Sequence, residues 1–240
     1  MGLDLTTAQF CIERNVRWDR TLTIGRQNWW LSRRESASVG CPIGRYSRTN
    51  YSEPFFRLLG ATTLESVDLS PDEGPTFTAD LSIPGALGDR KYSCICDFGT
   101  AEHIADQAVY WRNLWGALDP FGHLLVVVPA NQLCGHGLYQ YSPEFFASMG
   151  GFGLRYAEVV EYGWNVRRET FYGSGRFENR TLRPAYIFAH MMKGRELPFR
   201  LPVQSENAQT THRKQRNERL TGFLLDLPFV RKIQRLLYFI

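Results

Sequence analysis

The sequence predicts an α/β fold with a mostly parallel sheet and crossover helices. Short apolar runs alternate with longer segments of helical spacing, as is typical of repeated βα units. The chain has 240 residues, of which 43% are hydrophobic and 22% are charged, enough to form one globular domain with a full core. Five apolar runs predict the strands, at 22–24, 63–67, 76–79, 92–96 and 123–128.

Three of these predicted strands run directly into an aspartate, namely Asp68, Asp80 or Asp97. Ligands of open α/β sheets bind beyond the carboxyl ends of the strands, so polar groups there converge on one crevice. A single aspartate after a strand is more often a turn former or a helix N-cap. Three of them in a row favour a site.

The remaining segments complete the predicted architecture. Helical patterns span 51–59, 101–118 and 142–149, and two further strands are predicted at 154–161 and 184–191. The stretch 164–183 is rich in Arg, Gly and Asn and is interpreted as a long hairpin loop. These elements define a domain over 1–200, followed by a polar linker at 201–218 and a tail at 219–240.

Composition excludes several classes of protein. The sequence contains no apolar run long enough for a membrane span and no signal-peptide pattern, so we expect a cytoplasmic protein. The five cysteines include no CxxC pair, and Cys94 and Cys96 fit a buried strand. We therefore interpret them as core residues of a reduced compartment and expect no metal site.

Residues 20–192 resemble the class I S-adenosylmethionine-dependent methyltransferases. More narrowly, they resemble a group of bacterial methyltransferase-like proteins often linked with glycan assembly. The resemblance lies in the segments 64–70, 80–82, 96–104, 118–124 and 129–143. It implies a three-layer Rossmann-like methyltransferase fold with a mostly parallel sheet and a terminal antiparallel hairpin. It also implies transfer of a methyl group from S-adenosylmethionine to a hydroxyl or amine of a small-molecule or glycan-linked acceptor.

The resemblance assigns the cofactor-binding residues. Asp68 would bind the ribose hydroxyls and Asp80 would lie near the adenine, while Asp97 and Gly99 would line the methionine part. The family usually has three glycines within five residues after the first strand, and this chain has Gly25 alone. The next residue is Arg26, which either meets the cofactor's carboxylate in place of backbone amides or obstructs it.

The candidate catalytic residues lie mainly after the strand at 123–128. Glycines flank His136, which leaves the backbone free to turn and the imidazole free to accept a proton near neutral pH. We predict His136 as general base, with Asn131, Tyr139 and Tyr141 orienting the acceptor. His103, beside Glu102, is a further candidate. The alternative is a packing loop with no catalytic role, in which His136 bonds a backbone carbonyl and His103 caps a helix.

The net charge of +4 belongs to the linker and tail rather than to the domain. Residues 213–235 carry seven basic and two acidic side chains, a surplus larger than the whole net charge. The tail 219–240 has a basic and an apolar face, so it could bind an anionic membrane surface or a protein partner. The alternative is that it folds back on its own domain or packs on a sister subunit in a homodimer. Nucleic acid is not an expected partner. The alternative function is a non-catalytic binding or scaffold protein that docks through this tail.

Overall fold

The protein is described by a computed structural model over residues 2–41, 50–162, 167–170, 183–195 and 198–202. The strands are β1 (Gly2–Leu3), β2 (Arg20–Ile24), β3 (Asn28–Trp29), β4 (Thr63–Asp68), β5 (Phe77–Thr78), β6 (Tyr92–Phe98), β7 (Leu118–Asn131), β8 (Phe152–Glu161), β9 (Arg167–Thr170) and β10 (Ala185–Lys193). The helices are α1 (Leu5–Glu13), α2 (Arg33–Ser38), α3 (Glu53–Leu58), α4 (Gln107–Ala117) and α5 (Pro143–Ala147), with a 3₁₀ turn at Ala101–His103.

Eight of these strands form one mixed sheet in the order β5-β4-β2-β6-β7-β10-β8-β9. The first five pair in parallel, and β10 lies antiparallel between β7 and β8. This topology confirms the predicted fold class, a Rossmann-like parallel sheet that ends in antiparallel strands. The carboxyl ends of β2, β4, β6 and β7 consequently lie along one edge of the sheet, where a ligand site is expected.

Two apolar cores cover the two faces of the sheet, and β6 contributes to both because its side chains alternate. Ile95 packs into one core and Cys94 and Cys96 into the other. The first core takes the side chains of α4 and α5, including Trp111, Leu114 and Phe146. The second takes those of α1 and α3, including Phe10, Phe55 and Phe56. Four cysteines are buried as predicted, namely Cys11, Cys41, Cys94 and Cys96, whereas Cys134 is exposed and the prediction that it is a core residue is wrong. No described helix is long and apolar enough to cross a membrane.

The predicted helix at 101–118 is in fact two elements. Residues 101–103 form a single 3₁₀ turn, and α4 begins only at Gln107. The side chain of Asp106 accepts a hydrogen bond from the Val109 amide at 3.0 Å and so starts the second helix at that point. Helical spacing of apolar residues cannot reveal such a break, because both pieces pack against the same core.

Other boundaries also differ from the sequence-based prediction. Asp97 lies inside β6 rather than after it, and β7 extends beyond the predicted run in both directions. The predicted loop at 164–183 contains β9, which pairs with β8, and most of its other residues lie outside the described ranges. The short elements α1, α2, β1 and β3 were not predicted. The tail at 219–240 and all but two residues of the linker lie outside the described part of the chain.

Lys193, at the end of β10, ties this strand to α4. Its ammonium donates to the backbone oxygens of Trp115 and Leu118 at 2.7 Å each, and it lies 4.1 Å from the centre of a Trp115 ring. These carbonyls belong to the last turn and C-cap of α4, where a cation also faces the negative end of the helix dipole. Burial lowers the pKa of Lys193, but its hydrogen bonds satisfy the charge.

We expect Lys193→Met to lower the free energy of unfolding by about 2 kcal/mol, because two buried carbonyls lose a charged donor. Chemical denaturation measures this change. Lys91→Met is the matched control, since the exposed Lys91 donates to Gly116 of the same helix and its loss should change stability by about 0.5 kcal/mol or less. If both variants lost the same free energy of unfolding, the buried hydrogen bonds of Lys193 would stabilise the protein no more than the exposed one of Lys91.

Candidate functional site at the carboxyl edge of the sheet

Asp97 organises the turn that follows β6. Its side chain is fully buried, and Oδ1 accepts a hydrogen bond from the Thr100 amide at 2.8 Å. Oδ2 accepts from the Ala101 amide at 3.1 Å and from the Tyr110 hydroxyl at 2.6 Å. Burial raises the pKa of Asp97 to about 6, although these hydrogen bonds oppose the rise. Asp97 therefore fixes the 3₁₀ turn against α4.

This turn carries Glu102 into the protein interior. The side chain is fully buried, and neither carboxylate oxygen accepts a hydrogen bond from any described residue. Burial raises the pKa of Glu102 to about 8, and the neighbouring Asp97 adds to the rise. An unsatisfied buried carboxylate is costly, so it needs either a proton or a cation.

The loop after β7 packs directly on Glu102. The amides of Leu138 and Tyr139 donate to the Glu102 backbone oxygen at 2.7 and 3.3 Å. A Cβ atom at Gly137 would lie 2.7 Å from Cγ of Glu102, so this close approach requires glycine. Gly135, on the other side of His136, has φ of 87°. The Gly-His-Gly sequence is thus explained by the approach of this loop to the buried carboxylate.

The result is a cluster of three side chains, Glu102, His103 and His136. The Nε2 atom of His136 lies 3.4 Å from Oε1 of Glu102, and Nε2 of His103 lies 3.9 Å from the same oxygen. The two imidazole rings are 5.5 Å apart at their centres. The carboxylate is inaccessible, whereas the histidine side chains are 45% and 43% exposed. Solvent or a ligand therefore reaches the cluster from the histidine side.

The other candidate catalytic residues lie around this cluster. The Tyr139 hydroxyl donates to the backbone oxygen of Ala105 at 2.7 Å, which holds the loop over the 3₁₀ turn. Asn131 ends β7, and its side-chain oxygen accepts from the Gln132 amide at 3.0 Å. The structure thus brings His136, His103 and Tyr139 together on Glu102, and it places Asn131 at the strand end that leads into their loop. Tyr141, by contrast, is buried, and its hydroxyl donates to Oε1 of Gln107 at 2.8 Å, which leaves it packed in the core rather than facing an acceptor.

The candidate cofactor side lies at the ends of β2, β4 and β5. Gly25 has φ of 74°, and its amide donates to Val67 at 2.7 Å. Oδ1 of Asp68 accepts from the Ser70 amide, and Oδ1 of Asp80 accepts from the amide and hydroxyl of Ser82. None of the described hydrogen bonds uses Oδ2 of either aspartate. Each aspartate thus retains an acceptor atom suited to a ribose hydroxyl or an adenine amine.

Arg26 is already paired within the protein. Its Nε donates to Glu53 at 2.7 Å, and Nη1 donates to the backbone oxygens of Glu73 and Gly74 at 2.8 and 3.1 Å. The guanidinium also lies 3.8 Å from the Tyr51 ring centre. These contacts join the start of α3 to the loop after β4, and they account for Arg26 without a bound ligand.

Sequence reasoning identified the histidines but not the carboxylate beneath them. Glu102 was noted only as the neighbour of His103, since nothing in a sequence distinguishes a buried glutamate from an exposed one. The available signal in the sequence was Gly137, which follows His136 in a loop that needs no second glycine for its turn. Such a glycine indicates that another segment packs closely against the loop, but it does not identify that segment as the one carrying Glu102. The expectation of no metal site rested on the absence of a CxxC pair. This cluster contains no cysteine, so that criterion did not apply to it.

No family model and no curated protein matches the chain. Several solved structures are similar to the chain at low sequence identity. The N-methyltransferase NodS from Bradyrhizobium japonicum, solved with S-adenosyl-L-homocysteine, is 11% identical with a TM-score of 0.45, over 79% of this chain and 85% of that one. An S-adenosylmethionine-dependent methyltransferase from Clostridium acetobutylicum is 13% identical with a TM-score of 0.40, over 80% and 93%.

TrmN from Thermus thermophilus is 14% identical with a TM-score of 0.39, over 80% of this chain. The match spans about half of that protein, 49% of its length. At these identities and TM-scores, the similarity transfers no activity or ligand to this chain.

The raised pKa of Asp97 makes a prediction about stability. Burial disfavours the ionised form of Asp97 in the folded state. The favourable contribution of the protonated carboxyl to the free energy of unfolding is therefore complete below the ordinary pKa and is lost as the pH rises through about 6. Asp97→Asn removes this ionisation. From about pH 4 to about pH 7, the variant should therefore gain about 3 kcal/mol relative to the unsubstituted protein, as measured by denaturant unfolding at each pH.

Asp80→Asn is the control for this experiment. Hydrogen bonds from Ser82 lower the pKa of the partly exposed Asp80. The ionised carboxylate of Asp80 therefore adds to the free energy of unfolding, and this contribution is lost as the pH falls. The Asp80→Asn variant should gain nothing as the pH rises. A pH-independent difference for Asp97→Asn would show that burial does not raise the pKa of Asp97.

Proposed function

We propose that the protein is an S-adenosylmethionine-dependent methyltransferase that acts on a hydroxyl or amine of a small-molecule or glycan-linked acceptor. One observation carries the proposal. The carboxyl edge of a Rossmann-like sheet presents two aspartates with unused oxygens on one side and a histidine–carboxylate cluster on the other. The first pair suits a nucleoside, and the cluster suits removal of a proton from the group to be methylated.

The chain's residues fit the adenosine part of the cofactor. In this proposal, Oδ2 of Asp68 accepts from the ribose hydroxyls and Oδ2 of Asp80 accepts from the adenine side. Their strands are neighbours, with Asp68 paired to Thr78, two residues before Asp80, so both aspartates lie at the carboxyl end of this strand pair. When bound, the cofactor supplies an electrophilic methyl group on a sulfonium. Carboxylates near this edge also suit the positive charge of that group.

Asp97 and Gly99 have a different part in the proposal. Both oxygens of Asp97 are occupied by the turn, so Asp97 is a positioning residue that holds the backbone beside the methionine part. Gly99 has φ of 102° and lets the chain leave β6 without a side chain at that point. Arg26 remains bound to Glu53 and shapes the loop after β4, and Gly25 begins the turn that carries it.

The acceptor would lie against the exposed imidazoles. His136 accepts the proton of the hydroxyl or amine, and the ionised form of Glu102, 3.4 Å away and populated above its raised pKa, would stabilise the imidazolium that results. His103, Tyr139 and Asn131 orient the acceptor around this pair. Methyl transfer then depends mainly on alignment of the acceptor with the methyl group, which a fixed turn and loop can provide.

Calorimetric titration with S-adenosylhomocysteine tests the cofactor assignment. We expect binding to the full chain, and we expect Asp68→Asn to weaken it by about 10- to 100-fold because a charged acceptor is lost. Asp72→Asn changes an acidic residue in the loop that follows and should leave the affinity unchanged. Absence of heat at millimolar ligand would contradict the proposal and favour the non-catalytic scaffold function.

The proposal also includes a cytoplasmic location and a docking role for the tail at 219–240, which lies outside the described residues. Deletion of 212–240 tests the docking role in the full chain. We expect the deletion to reduce binding to anionic vesicles, capture of a protein partner or self-association, because it removes the basic amphipathic segment. The role would be refuted if all three were unchanged in co-sedimentation, pull-down and light-scattering measurements, with circular dichroism as the control for folding.

A further inference from the structure

We propose that Glu102, His103 and His136 bind one divalent transition-metal ion, of which Zn²⁺ is the test case. Their ligand atoms all lie within 4.8 Å of one another. Two imidazoles and one carboxylate form a donor set that suits zinc and neighbouring metals of intermediate softness. Three protein ligands also leave a coordination position open for water or a substrate, and here that position faces solvent.

The spacing is close to that of a metal-bound site. Nitrogen and oxygen ligands lie about 2.0–2.1 Å from zinc, so in a tetrahedral site they are about 3.3 Å apart. His136 and Glu102 are already 3.4 Å apart, and His103 is 3.9 Å from the same oxygen. All three ligand atoms lie within 4.8 Å of one another, so coordination requires the exposed His103 ring to move closer to the other two ligands.

The buried carboxylate is an independent indication of a cation. Neither oxygen of Glu102 accepts a hydrogen bond from a residue in the described ranges, although the side chain is fully buried. Within the described part of the chain, its ion-pair partners are the two histidines alone, with no lysine or arginine. A buried charge without a partner is strongly unfavourable. A metal ion held with the two imidazoles would satisfy this carboxylate.

The backbone holds the three ligands in place before any ion binds. Asp97 caps the turn that carries Glu102 and His103. The loop of His136 is attached to the same turn through the Leu138 and Tyr139 amides and through the contact of Gly137 with Glu102. Both ligand-bearing segments are therefore fixed to each other, which reduces the entropy lost on binding.

The inference adds a second route for proton removal, and this addition rests on the proposed function. A ring nitrogen of His136 that binds metal cannot also accept a proton. In the metal-bound protein, the acceptor hydroxyl would occupy the open position, where the ion lowers the pKa of that hydroxyl and its proton passes to solvent. In the metal-free protein, His136 would accept it. Metal binding itself requires neither the cofactor nor the acceptor.

Titration of the chelator-treated full chain with Zn²⁺ tests the site. We expect one equivalent to bind by calorimetry, with an increase in thermal stability. Titration with Co²⁺ should give visible absorption bands that report the ligand geometry. Glu102→Gln should weaken Zn²⁺ binding by about 100-fold or more and abolish those bands. His123→Gln is the matched control, because His123 lies in β7 beside His190 and its loss should leave the affinity unchanged.

Two comparisons keep the inference falsifiable. Without metal, Glu102→Gln should unfold at a temperature equal to or above that of the unsubstituted protein, because a buried carboxyl with no described hydrogen-bond donor is replaced by an amide that cannot ionise. If that variant does not fold, His136→Ala decides, and an unchanged Zn²⁺ affinity in it would overturn the site. Failure of the unsubstituted chain to bind Zn²⁺ would also overturn it. Zinc binding without S-adenosylhomocysteine binding would refute only the proposed function, and the reverse would refute only the metal site.

Discussion

The candidate site depends on the hydrogen bonds that the buried Asp97 carboxylate accepts. Two of them come from backbone amides of the turn after β6, and a third comes from Tyr110 in α4. They replace the helical continuation that the apolar spacing of 101–118 suggested. Because the turn is fixed in this way, Glu102 is directed into the interior and His103 toward solvent. A different conformation at this point would separate the two residues from the loop of His136.

Burial of the Glu102 carboxyl destabilises the folded protein. This carboxyl group is buried beside two exposed imidazoles and accepts no hydrogen bond from the described residues. Such a group destabilises a protein unless a proton or a cation satisfies it, and groups of this kind concentrate at functional sites. The proposed proton transfer through His136 and the proposed metal site are two chemical roles for the same buried group. Both proposals place the reactive position on the side of the cluster where the imidazoles are exposed.

The two sides of the site differ in how well the sequence anticipated them. Asp68 and Asp80 lie where strand ends predicted acidic groups, since β4 ends at Asp68 and Asp80 follows β5. The position of a strand end depends on local apolar patterning, which a sequence displays. Arg26 was open to two interpretations, and its side chain pairs with Glu53 in α3. That partner comes from a separate element, and no local pattern links the two residues.

The sequence by itself determined the α/β class, the main strands and the residue types at their ends, because periodicity and turn-forming residues act over short distances. It also singled out His136 through its flanking glycines. Only the tertiary structure decided that Asp97 caps a turn, that Glu102 is buried and that both histidines meet on it. Burial and the close approach of the loop after β7 to the turn after β6 arise from the parallel pairing of these two strands. Such contacts between distant segments are set by the packing of the whole sheet. The local sequence therefore does not show which segment a given residue will contact.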